Sequence, residues 1–131
     1  MGMLDSVPAV RRIDTDRETL CAFDIVGTVN SADLENLFGL LEAAYALHPA
    51  TDVLLRLTEC EGFEGDGFER STVSEGTEAA GEHVRRCAIV GDGHGIADSR
   101  RLFVAVGAGE TRHFRAKEED GAWAWLGARR L

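Results

Sequence analysis

Long apolar runs are missing from these 131 residues: none approaches the ~18–20 consecutive apolar positions that a helix needs to span a bilayer. The opening Met1-Gly2-Met3-Leu4-Asp5-Ser6 has neither the basic stretch nor the apolar core of a secretory signal, so the cytoplasm is the expected compartment. Cysteine is scarce. The three thiols, Cys21, Cys60 and Cys87, form no Cys-x-x-Cys pair, and an odd number without an export signal predicts reduced side chains rather than a disulfide framework. Lysine is nearly absent, Lys117 standing alone, and 14 basic residues face 23 acidic ones for a net charge of −9. Binding to a phosphate backbone is driven by basic residues that release counterions, which excludes nucleic acid as a general partner. The same sign leaves at most peripheral contact with an anionic membrane.

What is present fits one soluble globular domain: 44% hydrophobic and 28% charged residues. A chain of this length buries roughly 65–70% of its extended surface, enough for a core without disulfide or metal staples. Residues 1–131 therefore read as one domain.

A short extended piece around Val7–Ile13 leads through the polar Asp14–Arg17 turn into Leu20–Val29, where Cys21, Phe23 and Ile25 alternate with Leu20, Ala22, Asp24 and Val26. That is a hairpin. Leu34, Leu37, Phe38, Leu41, Ala44 and Tyr45 then recur at helical spacing, with Asn30 and Ser31 as cap candidates, until His48-Pro49 ends the pattern. Val53–Leu57 and Cys87–Val90 are short apolar runs of the kind buried on both faces of a parallel sheet. Between them Val73, Thr77, Ala80 and Val84 fit one helical stripe, although Gly67, Gly76 and Gly81 weaken it. Ile96, Leu102, Phe103 and Val106 predict a further helix, Thr111–Arg115 a strand, and Lys117–Arg129 a last helix in which Trp123 and Leu126 share the packed face while Trp125 points elsewhere. The order describes an α/β two-layer sandwich: a mixed, mostly parallel sheet of about five strands with about four helices.

Phe63-Glu64-Gly65, Arg86-Cys87-Ala88-Ile89-Val90-Gly91-Asp92, Arg112-His113-Phe114 and Ala122-Trp123-Ala124-Trp125-Leu126 follow one another in an order and spacing that resembles the SpoIIAA-like family, a branch of the STAS (sulfate transporter and anti-sigma factor antagonist) folds. The resemblance spans about residues 5–129. It implies a five-stranded sheet with four helices, an architecture also likened to lipid-carrier domains, and for many members no assigned reaction. Two departures stand out. Anti-sigma factor antagonists carry an Asp-Ser-Ser-Gly-like stretch with a phosphorylated serine where this chain has Glu59–Asp66, and a phosphate among those carboxylates would meet like-charge repulsion. Many SpoIIAA-like members follow Val-Gly-Asp with a basic residue and Trp, where this chain has Gly93-His94-Gly95.

Ligands of open α/β sheets gather beyond the carboxyl ends of the parallel strands, which singles out the expected loops Glu59–Asp66, containing Cys60, and Gly91–Asp98. The four carboxylates of the first lack EF-hand spacing and read as a solvated acidic loop, not a metal site. In the second, Asp92 opposes anion binding, and His94 is the best-placed histidine for acid–base work. No Gly-x-Ser-x-Gly elbow or zinc pattern occurs, and no cofactor is expected. Phe63 and Phe68, with glycines at 62, 65 and 67, read either as a pocket under a mobile 62–84 lid or as plugs of the core. Trp125 is a candidate partner or pocket surface. The favoured reading is a non-enzymatic binding or regulatory module without the serine switch. It takes a small partly apolar ligand or lipid, or docks a protein partner, through Phe63, Phe68, Asp92, His94 and Trp125. The alternative is a small hydrolase or isomerase using His94 with Asp92 or Asp98, and a homodimeric interaction domain is a third possibility.

Overall fold

A computed structural model describes residues 10–29, 31–63, 78, 82–92 and 110–131. In chain order its elements are β1 (Val10–Ile13), β2 (Leu20–Val29), α1 (Ser31–Leu47), β3 (Thr51–Phe63), β4 (Val84–Val90), β5 (Glu110–Phe114), a 3-10 turn (Ala116–Glu118) and α2 (Glu119–Leu126). The strands lie side by side in sequence order. β1 is antiparallel to β2, and the pairs β2–β3, β3–β4 and β4–β5 are parallel. The mixed, mostly parallel α/β sheet expected from the sequence is present. Of the four expected helices, α1 and α2 lie within the described residues. The 96–106 helix lies outside them, as does most of the 67–84 stretch, where Glu78, Glu82 and His83 are helical.

Period-two alternation sorts the apolar side chains onto two faces. Phe23, Ile25, Val53, Leu55, Leu57, Cys87 and Ile89 meet Leu34, Leu37, Phe38, Leu41 and Tyr45 of α1 on one face. On the other, Leu20, Ala22, Leu54, Ala88 and Val90 meet Ala122, Trp123 and Leu126 of α2. α1 stops where its stripe stops: the His48 N–H still reaches the Ala44 carbonyl at 2.8 Å, and Pro49 opposes a helical conformation at the residue before it.

Three boundaries differ from the sequence expectation. The strand expected at 53–57 runs from Thr51 to Phe63, so Cys60 and the first half of the expected acidic loop are strand backbone, in register with Gly27–Val29. Register shifts on either side of Gly27, whose φ is +76°, let the two strands stay paired past the end of the apolar pattern. Val84 opens β4 and packs into the α1-side core instead of continuing a helical stripe. The last helix is shorter than Lys117–Arg129. Gly127 takes the left-handed conformation at φ +67°, its N–H meets the Ala124 carbonyl at 3.0 Å, and the Ala128 N–H meets the Trp123 carbonyl at 3.1 Å. That pair of bonds closes a Schellman turn and ends the helix.

Gly91 follows β4 at φ +151°, with its N–H bonded to the Phe114 carbonyl at 2.9 Å. A Cβ built there would stand 3.0 Å from both Cβ and the carbonyl oxygen of Leu57. Gly91→Ala is therefore expected to cost about 1–3 kcal/mol of stability, from backbone strain and from crowding against β3. Urea denaturation of the two chains measures it, and equal midpoints would refute the argument.

Candidate functional site

A groove of about 970 Å³ runs between the last turns of α1 and the start of the sheet. Leu40, Ala43, Ala44, Leu47 and His48 form one wall, and Ile13, Leu20, Cys21 and Phe23 supply apolar surface opposite. The turn 12–18 forms its polar rim, with Arg12 and Arg17 beside Asp14, Asp16 and Glu18. The groove is also lined by Leu131. The tail that carries it is laced to this turn: Leu131 N–H to the Asp14 carbonyl at 3.0 Å, Asp16 N–H to the Arg129 carbonyl at 3.0 Å, and Arg129 N–H to the Asp16 carboxylate at 2.7 Å. Leu47 and Leu131 are 77% and 78% exposed, so the groove keeps apolar surface in water.

On the opposite face a charged cluster sits among apolar strands. Arg56 of β3 donates from Nε to Asp24 of the adjacent strand at 3.1 Å and from Nη1 to Glu119 of α2 at 3.2 Å. The same Glu119 oxygen accepts the Trp123 indole N–H at 3.0 Å. The hydrogen bond to Asp24 is the main reason the Arg56 guanidinium holds its proton even above the ordinary arginine range. The other end of α2 is held by two more arginines. Arg17 donates to the Leu126 carbonyl and pairs with Asp52 at 3.1 Å, and Arg86 donates to the Trp125 carbonyl at 2.9 Å. Cations on the last carbonyls satisfy acceptors that the helix itself leaves open and complement its dipole.

The expected strand-end crevice is described in part. Asp92 is exposed and its carboxylate accepts the Ala116 N–H at 3.4 Å. The His113 Nε2–H donates to the Gly91 carbonyl at 2.7 Å. A second histidine, His83, is also tied to backbone, through Nδ1 and the Pro49 carbonyl at 2.8 Å, and stacks on Tyr45 at 4.7 Å. Phe68, His94 and Asp98 lie outside the described residues. Phe63 ends β3, with its backbone paired to Val29. Trp125 is half-buried against Phe114, Arg86 and Arg112. The structure does not bring Trp125 and Asp92 together into the groove, whose lining the sequence reading missed. Its signal was there: Leu40 and Leu47 lie seven apart, off the buried stripe of α1.

A family model described as SpoIIAA-like matches residues 20–127. The chain belongs to the SpoIIAA-like family. It is also similar to the crystal structure of an uncharacterised protein of the DUF3478 family with a SpoIIAA-like fold, from Shewanella loihica PV-4. The two are 25% identical over 90% of this chain and 92% of that one, with a TM-score of 0.65. No curated protein matches. The place of the serine switch in this SpoIIAA-like chain begins as the β3 backbone of Glu59–Phe63. Among the described residues no group of three His, Cys, Asp or Glu side chains is placed to hold a metal ion, and no helix is long and apolar enough to cross a membrane.

Two outcomes follow from these environments. Arg56→Gln removes the shared donor and leaves Glu119 partly buried with one partner fewer, which should destabilise the fold by about 1–3 kcal/mol. Glu119→Gln keeps an acceptor for Trp123 and should cost less; equal losses in urea titrations would contradict the assignment of Arg56 as the hub. Cys87 is fully buried, and desolvation pushes its thiol well above the ordinary cysteine range. The folded state then holds a proton that the unfolded state releases above about pH 8.5, so stability should fall as pH rises from 8.5 to 10. Cys87→Val should flatten that fall, measured as the slope of unfolding free energy against pH. An unchanged slope would mean that the thiol is not the source.

Proposed function

We propose that this SpoIIAA-like chain is a non-enzymatic binding module that takes up a small, partly apolar ligand or a lipid tail. The observation that supports the reading is the groove beside α1. Its size lies within the range of small-molecule sites, its floor is apolar, and its rim carries charges of both signs. Mixed rim charge favours a ligand with one polar end over a strongly anionic one. The expectation from sequence put the ligand under the 62–84 segment with Phe63 and Phe68, whose side chains lie outside the described ones as most of that segment does, so the proposal rests on the groove. The rival hydrolase or isomerase would use His94 with Asp92 or Asp98. Its one described member, Asp92, is engaged with the backbone of Ala116.

The probe for the test is cis-parinaric acid, a fluorescent fatty acid, titrated with the full chain. Binding of the wild-type chain is expected in the micromolar range. Leu47→Glu alters an exposed leucine of the wall and should leave the melting temperature unchanged. Losing the burial of one leucine should weaken the probe at least about fivefold. Equal affinity in both chains, or no binding by the wild-type chain, would sink the proposal.

A further inference from the structure

Independently of the groove, the aromatic and arginine cluster between α2 and β5 has the chemistry of a docking surface. We infer that it docks an acidic, extended segment of a partner protein. The guanidinium carbon of Arg112 stands 5.4 Å from the centroid of the Trp125 ring and 5.7 Å from that of Phe114. The two rings lie 5.8 Å apart, tilted by 49°. Arg86 of the neighbouring strand stands 5.7 Å from the same indole, with one N–H already committed to the Trp125 carbonyl. Arg112 differs from it. Its side chain is exposed, and among the described residues no carboxylate comes within ion-pair distance of it, although Glu110 lies on the same strand face two positions away.

An arginine held against two rings has already given up much of its rotamer freedom, so less is lost when its planar fork meets a carboxylate. Arginine and tryptophan are also the residues most enriched where binding energy concentrates. The sign of the partner follows from charge: the chain carries −9 overall and repels acidic segments elsewhere, while here two arginines share one indole. Its shape follows from the neighbouring cavities. One of about 650 Å³ takes in Arg86 and Glu110 and another of the same size takes in Trp123, yet neither is lined by Arg112, Phe114 or Trp125. Small molecules select concave sites, whereas side chains that line none of the described cavities suit a polypeptide laid across them.

The test is nuclear magnetic resonance of the full ¹⁵N-labelled chain titrated with a hexaglutamate peptide, with inorganic phosphate titrated in parallel. Saturable shifts of the Trp125 indole N–H, assigned through Trp125→Phe, and of the Arg112 and Phe114 amides are expected. Arg112→Gln, an exposed substitution whose own spectrum reports folding, should weaken the peptide at least about tenfold. Shifts confined to other surfaces, or equal affinity in Arg112→Gln, would overturn the proposal. So would phosphate moving the same resonances with affinity equal to the peptide's, since the surface would then be a site for small oxyanions.

Discussion

β3 has no free face where its apolar run lies, and the rest of the fold follows from covering it. Val53, Leu55 and Leu57 point to one side and Leu54 to the other, with β2 and β4 bonded along both edges. A parallel strand in that position needs a helix on each face. α1 supplies one with five large side chains at helical spacing. α2 supplies the other with eight residues, too few to be a stable helix in isolation. Its stability must come from what holds it against the sheet.

Burial of Ala122, Trp123 and Leu126 supplies most of that hold, and charged groups at the two ends fix its position. Arg56 is the charge inside the β3 run, and removing an arginine from water requires partners close by. Asp24 is its direct register partner on β2, and Glu119 reaches in from the first turn of α2. Satisfying Arg56 therefore fixes where α2 begins. Arg17 and Arg86 fix where it ends, by taking the Leu126 and Trp125 carbonyls. Between those anchors Ala122, Trp123 and Leu126 fall onto Leu54, Ala88 and Val90 without further adjustment. The arginines that look like surface charge in the sequence are thus clamps on one short helix.

How much of this was legible depends on the distance over which the information is carried. α1 could be read because Leu34, Leu37, Phe38, Leu41 and Tyr45 state a local period. The two-faced strands could be read because continuous apolar runs state burial. The extension of β3 to Phe63 could not, since Glu59, Glu61 and Gly62 break the apolar pattern and the pairing that keeps the strand extended comes from Gly27–Val29, over thirty positions back. A lone Arg56 in a buried run announces that it needs a partner, but not that the partner is Glu119, 63 residues on. The family was legible through motifs spread over residues 63–126, and these fix the fold without naming a chemistry. The groove was hidden because four separate segments build it, each polar or unremarkable alone.

The distribution of polar groups bears on function. His113 and His83 bond to backbone carbonyls, Asp92 takes a backbone N–H, and Arg17, Arg56 and Arg86 hold α2. Groups so engaged give up a hydrogen bond when they turn toward a reacting atom, and the part-buried ones, Arg17 and Arg56, give up most. What the described surface leaves available is of another kind: leucines at the mouth of a groove and one arginine resting on aromatic rings. Apolar area and a preset guanidinium yield affinity without chemistry. The proposed binding role agrees with that division among the described residues, because a scaffold of this kind uses ionisable groups to position a helix and keeps other surfaces for contact.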